Sequence, residues 1–215
     1  MSKRNDDFFE KKNPWSIVKD DLLRCYLTPY LEKIKYTRKP ILYIDCFAGK
    51  GKFSDGTDGS PIIALDIIQN FLYKNSSTNI QSCFIECNHA DELIKNLSNY
   101  DNRNIQVISG RYESNIERLF QDKNGYNVFM YIDPYGIKSL DFNLFYRFAN
   151  HKFKSIELLV NLNSFGFMRE ACHVLGTNYS DVGEFNDLVE YEPIELDNSL
   201  QSIYELDAIA GGKYW

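Results

Sequence analysis

Three short stretches hold the side chains best suited to chemistry. The first is Tyr43-Ile44-Asp45-Cys46-Phe47-Ala48-Gly49-Lys50-Gly51, an apolar run ending in Asp-x-Phe-x-Gly-x-Gly. Glycines at such a place let the backbone turn tightly and approach a ligand closely, which a Cβ would obstruct. The second is Ile85-Glu86-Cys87-Asn88 and the third Met130-Tyr131-Ile132-Asp133-Pro134-Tyr135-Gly136. Each sets an acid where an apolar run stops. A carboxylate accepts two hydrogen bonds from the paired hydroxyls of a ribose, which neither a lysine nor an apolar side chain can do, and Glu86 is the candidate for that role.

The spacing argues against two common nucleotide sites. No Gly-Lys-Ser/Thr opens a helix, so the loop is not a phosphate-binding P-loop. Gly49-Lys50-Gly51 does not continue to the third glycine of the dinucleotide fingerprint, and no acid suited to hydride transfer is evident. From Gly51 to Glu86 is 35 residues, against about 20 in that fingerprint. The excess lies in residues 52–59. A nicotinamide-dependent dehydrogenase is therefore a poor fit.

The elements that must position these residues follow from hydrophobic patterning. Strands are expected at 41–47, 81–87, 105–108, 127–132 and 157–162, each a continuous apolar run, as in a parallel sheet covered on both faces. Helices are expected at 61–73, 91–97, 115–120 and 142–149. Ser60-Pro61 reads as a hydroxyl cap followed by proline at the first helical position. Upstream, Ile17, Leu22, Leu23, Tyr26, Leu27, Tyr30, Leu31 and Ile34 recur at helical spacing. Pro29 inside that pattern predicts a kink or two short helices near Thr28. Residues 1–13 are polar and are expected to fray, and 35–40 form a basic connector.

Alternating strands and helices give an α/β, Rossmann-like, doubly wound and mostly parallel sheet. With strand order 3-2-1-4-5, strands 1 and 4 flank the reversal of order where such sheets bind ligands. The glycine loop would then face Asp133-Pro134-Tyr135-Gly136, with Glu86 beside it. The expected organisation is an N-terminal tail and helical segment (1–40), the Rossmann-like core (41–170) and an acidic region of mixed helix and loop (171–215). The last, ending in Gly-Gly-Lys-Tyr-Trp, reads as the start of a longer C-terminal part.

Composition narrows the class. The chain has 215 residues, 44% hydrophobic, with 15 Phe and 15 Tyr, enough for a globular core. No run of about 18 apolar residues exists to span a membrane. The first residues are too polar for a secretory signal, so a cytoplasmic protein is expected. The five cysteines are odd in number, and Cys46, Cys83 and Cys87 fall in or beside strands, which fits reduced thiols. Cys83-x-x-x-Cys87 lacks a second ligand pair, so no metal site is expected.

The net charge of -6 is uneven. Residues 1–52 carry 12 Lys/Arg and 7 Asp/Glu, or +5; residues 53–215 carry 12 and 23, or -11. A chain this acidic is a poor non-specific binder of nucleic acid. The basic N-terminal portion reads as a solvated helix surface or as a local phosphate contact.

Asp-x-Phe-x-Gly-x-Gly, an acid ending strand 2, and Asp-Pro-Tyr-Gly ending strand 4 together resemble the class I S-adenosylmethionine-dependent methyltransferases. The resemblance implies S-adenosylmethionine as cofactor. Asp45, Phe47 and the backbone of Gly49 and Gly51 would lie near its methionine part, Glu86 would hold the ribose, and Asp133, Pro134 and Tyr135 would form the site of methyl delivery. Asp45 can also be read as a strand end satisfied by loop amides, and Glu86 as a surface carboxylate. Asp-Pro-Tyr-Gly is similar to the Asp/Asn-Pro-Pro-Tyr motif of methyltransferases acting on amines of nucleobases and glutamine. One proline is missing, however, and Tyr135 comes one position early, so it reads equally as a strand-ending turn. Ser109-Gly110-Arg111 stands where Gly-Asp often meets the adenine amine, and Arg111 cannot accept a hydrogen bond.

A further resemblance covers roughly residues 14–170. Trp15-Ser16-x-x-Lys19, Leu23, Tyr26-Leu27, Pro29-Tyr30-Leu31, Asp55-Gly56, Gly59-Ser60-Pro61 with Ala64-Leu65, and Ile132-Asp133-Pro134-Tyr135-Gly136 are similar to the three-Cys-motif partner protein family. This implies a bacterial or archaeal, methyltransferase-like protein. Its implied partner is a radical-S-adenosylmethionine-like protein with a three-cysteine motif. Two functions follow as expectations. The chain methylates an amine of a nucleic acid or nucleotide, or it is a non-catalytic module that docks that partner.

The remaining polar residues are weaker candidates. His89, His151 and His173 show no pairing with a carboxylate and read as surface or cap residues. Cys172-His173 is not a nucleophile–base pair, since neighbours on a helix point apart. Lys50 and Lys52 read as a solvated loop face or as phosphate contacts. Asn161, Asn163 and Arg169 follow strand 5 at the same sheet end and are candidates to line an acceptor pocket.

Overall fold

Five apolar runs become five strands: β1 (Ile41–Asp45), β2 (Ile80–Glu86), β3 (Ile105–Ser109), β4 (Asn127–Ile132) and β5 (Ser155–Val160). They form one all-parallel sheet in the order β3-β2-β1-β4-β5. Between them lie α2 (Ser60–Lys74), α3 (Ala90–Asn96), α4 (Tyr112–Phe120) and α5 (Phe142–Phe148), and α1 (Pro14–Ile34) precedes β1. This computed structural model describes residues 9–134, 140, 142–162 and 171. Met1–Asp133 and His151–Asn161 make one compact unit, which holds the whole sheet; α5 belongs to a second. Among the described residues no helix is long and apolar enough to cross a membrane.

The sheet order places the site. The chain winds outward from β1 to β2 to β3, then crosses back to β4, so successive right-handed crossovers leave α2 and α3 on one face and α4 on the other. β1 and β4 are neighbours, with Asp45 level with Tyr131. The reversal of strand order therefore falls between them. Strands β1 and β4 are buried along their whole length, whereas the edge strands β3 and β5 are only partly so. Alternation sends Ile41, Tyr43, Phe84, Phe129 and Tyr131 to one face, where they pack with Leu23, Leu27 and Leu31 of α1 and Ile62, Ile63 and Leu65 of α2.

Helix α1 is a single helix that contains Pro29, so the chain does not form the two short helices that were one of the expectations there. A proline inside a helix costs about 3 kcal/mol or more. Leu23, Leu27, Tyr30 and Leu31 are all buried, at about 1.5–3 kcal/mol for each fully buried aliphatic side chain, so burial outweighs the lost bond. Cys25, whose carbonyl loses its donor, is exposed, so water can serve it.

The N-terminal segment also differs from expectation. Phe9 is only 5% exposed. Its ring lies 5.8 Å from that of Phe53 and 5.1 Å from that of His89, and its carbonyl accepts from the Ser54 amide at 2.8 Å. A large apolar surface in an otherwise polar tail has found the glycine-rich loop to cover. Of the cysteines, Cys46 and Cys83 are buried but Cys87 is exposed. His151 is not unpaired: its Nε2 lies 3.0 Å from the Glu117 carboxylate. His89 stands at the N-terminal cap position of α3, 3.7 Å from Glu92.

Candidate cofactor and acceptor site

The site begins where β1 stops. Cys46 N still donates to the Tyr131 carbonyl (2.9 Å) and Ala48 N to the Ile85 carbonyl (3.1 Å), so the outgoing chain stays pinned between β4 and β2. Gly49 and Gly51 then take φ of 62° and 77°, a region where a side chain costs energy. A Cβ on Gly51 would stand 2.9 Å from Leu93 Cδ1. The Lys50 carbonyl accepts from Asn96 Nδ2 at 2.7 Å, which ties the loop to α3.

The long spacing to Glu86 also has an explanation. Gly59 N donates to the Gly51 carbonyl at 2.8 Å, and Lys52 and Asp58 form an antiparallel bridge. Residues 52–58 are thus an excursion closed at its base. Glycine suits that closure because a Cβ there would stand 3.0 Å from the Gly51 oxygen and press on the backbone.

Three carboxylates gather at this sheet edge. Asp45 is fully buried and accepts from Phe47 N at 3.2 Å and from Ser60 Oγ at 2.6 Å. Ser60 therefore does not cap α2; Gly59 holds the cap position and the hydroxyl serves Asp45 instead. Burial pushes the Asp45 carboxyl up to about 7, with the hydrogen bonds from Ser60 and Phe47 opposing it and the charges of Asp133 and Glu86 adding to it.

Glu86 is 4% exposed, which rules out a surface carboxylate. One oxygen accepts from Gly49 N at 2.7 Å, the other from Asn88 N at 2.8 Å and His89 N at 3.2 Å. The acid is held against the glycine loop by three amides, which leaves about one of its roughly four lone-pair positions.

Asp133 follows β4. Its carboxylate receives Lys19 Nζ at 2.5 Å and a hydrogen bond from the Asn161 side chain, whose amide also donates to the Tyr131 hydroxyl at 2.9 Å. Burial raises the Asp133 carboxyl above its ordinary range, against the Lys19 charge and these hydrogen bonds. Asp20, beside it on α1, is likewise raised by burial and pairs with Lys12. Lys12 also donates to the Asp58 carbonyl, which joins the N-terminal segment to the loop excursion.

The other sequence candidates fall as follows. The Phe47 ring lies 5.1 Å from that of Tyr112 on α4. Lys50 Nζ sits 5.1 Å over the Phe9 ring, and Lys52 pairs with Asp58 at 3.8 Å. Pro134 is buried, in the second unit. Tyr135, Gly136, Asn163, Arg169, Cys172 and His173 lie outside the described residues. Lys19, Ser60 as a partner of Asp45, and Phe9 were not candidates. Lys19 sits on a helix, where a lysine is ordinarily solvated, and its partner is 114 residues away.

The residues fit a nucleoside: positive-φ glycines give a bare backbone, and Glu86 keeps about one acceptor position for a hydroxyl. Among the described residues the buried His89 Nε2, beside the Glu86 end of β2, has no hydrogen-bond partner, a cost of about 1–3 kcal/mol.

No family model matches the chain, and no curated protein matches it. Two solved structures are similar in part. One is a candidate methyltransferase of Escherichia coli, 20% identical, with a TM-score of 0.35 over 58% of this chain and 55% of that one. The chain thus spans about half the length of that protein. The other is a candidate caffeoyl-CoA O-methyltransferase of Staphylococcus aureus, 14% identical, with a TM-score of 0.40 over 95% of this chain and 84% of that one.

Proposed function

We propose that the chain binds S-adenosylmethionine and acts as a methyltransferase on the nitrogen of an amine in a nucleic acid or nucleotide. The observation that carries this reading is the joining of Glu86 to Gly49 at 2.7 Å. That contact brings the ribose-type acid of β2 against the positive-φ loop of β1, at the reversal of strand order. Glu86 would hold the ribose through its remaining acceptor position, and Asp45 and the backbone of Gly49 to Gly51 would lie along the methionine part. When bound, the cofactor supplies a methyl group already activated by its sulfonium. The chain's own work is to bind, to exclude water and to orient. Asp133 would accept a hydrogen bond from the amine and, with a carboxyl raised by burial, would hold the proton that the amine gives up.

Calorimetric titration with S-adenosylmethionine and S-adenosylhomocysteine, with NAD as control, tests the reading. Micromolar binding of the first two, weakened at least about tenfold in Glu86→Gln, is the expected result, as for loss of a charged hydrogen-bond acceptor. A folded chain that binds neither ligand would sink it.

A second reading is a docking module for a radical-S-adenosylmethionine-like protein with a three-cysteine motif. The exposed apolar row Trp15, Val18 and Leu22 on α1 favours it. So do the hydrogen bonds that Asp45 and Glu86 already make within the chain. Co-purification of the two proteins, with cofactor binding absent, is its signature.

A further inference from the structure

The acids at the sheet edge are not alike in their compensation. Among the described residues Asp45 has hydrogen-bond donors but no cationic partner, and Glu86 has three amides. Of the three, among the described residues, Asp133 carries a full counter-charge, the Lys19 ammonium at 2.5 Å, with Asn161 as a second donor. The neighbouring Asp20 is answered by Lys12 and lies near Arg24. The corner around Asp133 is therefore close to neutral.

That neutrality has a chemical consequence for a site that handles an amine. An uncompensated carboxylate attracts an alkylammonium and stabilises it in the protonated form, which has no lone pair to react. A carboxylate already paired with a lysine exerts no such net pull. It keeps about two of its four lone-pair positions free to accept from an uncharged N–H.

We infer that Lys19 is the built-in counter-ion of Asp133, a positioning residue that selects an acceptor nitrogen arriving uncharged, such as a nucleobase amine or a carboxamide, over an alkylammonium. This rests on the reading of the strand ends as a methyltransferase site. Lys19 belongs to α1, outside the strand-end loops, so α1 completes the site. Its side chain is about one-third exposed (33%), so replacing it leaves no buried cavity.

The test uses the full chain and two nucleosides that differ at the transferring centre. S-adenosylhomocysteine is uncharged there; sinefungin carries a primary ammonium in place of the methylsulfonium. Both are titrated calorimetrically into wild type, Lys19→Met, Lys19→Gln, Lys19→Arg and Lys19→Met with Asp133→Asn. Wild type should bind the two within about threefold of each other, and Lys19→Met and Lys19→Gln should favour sinefungin by about tenfold more, as an unscreened opposite charge would. Lys19→Arg should restore the wild-type ratio, and adding Asp133→Asn should abolish the gain. A purely structural role would weaken both ligands equally. A wild type that already prefers sinefungin tenfold, or an unchanged ratio in both neutral variants, overturns the inference and leaves the cofactor reading standing. A wild type that binds neither nucleoside overturns both.

Discussion

Asp45 offers the sharpest perturbation. Its carboxyl is fully buried, and burial lifts it from an ordinary 3.8 to about 7. A raised carboxyl means that the unfolded chain ionises first. Between pH 3.8 and about 7 the folded chain keeps a proton that the unfolded chain has lost, so stability falls as pH rises and levels off above about 7. One pKa unit corresponds to about 1.4 kcal/mol, so a scan from about pH 4.5 to 8.5 should cost wild type roughly 3 kcal/mol through this group. Asp45→Asn keeps the shape, an acceptor for Phe47 N and a partner for Ser60, but cannot ionise. The two proteins should be similarly stable near pH 4.5, with the variant ahead by roughly 3 kcal/mol above pH 8. Asp133 and Asp20, also raised, push stability in the same direction, whereas Asp55 and Asp101 are lowered and push the other way. Asp20, Asp55 and Asp101 cancel in the difference between the proteins, and Asp133, whose charge adds to the Asp45 shift, cancels in part. Urea unfolding at five pH values measures it. A difference independent of pH would show that Asp45 ionises without penalty and would defeat the reasoning. The same variant should bind S-adenosylmethionine less well above pH 7, the expected pattern when stability is given up for a charge that a ligand uses.

The loop and the thiols give two further checks. Gly51→Ala meets both a positive φ and a contact 2.9 Å from Leu93 Cδ1, whereas Gly56→Ala meets a positive φ and open space. The first should lose about 2–4 kcal/mol in thermal unfolding and the second about 1–2, because only the first adds crowding to backbone strain; equal losses would show that the loop is not packed on α3. Alkylation of the native chain followed by peptide mass analysis should modify Cys25 and Cys87 quickly and spare Cys46 and Cys83, whose thiols are buried and raised. Rapid labelling of Cys46 would mean that the end of β1 opens readily.

The sheet was legible because a parallel strand buried on both faces has to be a continuous apolar run, and each of the five runs is one. Their ends moved by one or two residues where a polar partner intervened. β1 stops at Asp45 because the Phe47 amide turns to the Asp45 carboxylate. α4 starts at Tyr112, three residues before the expected helix, because Tyr112 is itself buried. Asp45 and Glu86 could be picked out as acids that end apolar runs, where ionisation is costly and a reason is needed. Ser60 could be placed at a helix start but not assigned its partner, since a hydroxyl before a proline fits a cap equally well. Phe9, Lys12 and Lys19 carry no local signal at all. Their partners lie in distant segments, and only tertiary packing brings them near.

That distant pairing changes the meaning of the charge asymmetry. The +5 of residues 1–52 reads as a solvated helix surface or a local phosphate contact. Instead α1 lies along the sheet face, with the Tyr30 ring 4.9 Å from that of Phe129 and the Tyr26 hydroxyl on Glu157. Its C-terminal end reaches the start of β4, where Thr37 accepts from Asn127. Its N-terminal end therefore reaches the opposite edge, where the strand-end acids are. Lys12 meets Asp20 and the loop excursion there, and Lys19 meets Asp133. A sheet of this topology can surround a ligand with acids from its own strand ends, but full cationic partners must come from another element. α1 runs antiparallel to the strands and, with the segment that leads into it, delivers Lys19 and Lys12 to that edge. The basic excess of the N-terminal quarter is, to that extent, the internal complement of acids elsewhere in the chain rather than a free surface for a polyanion.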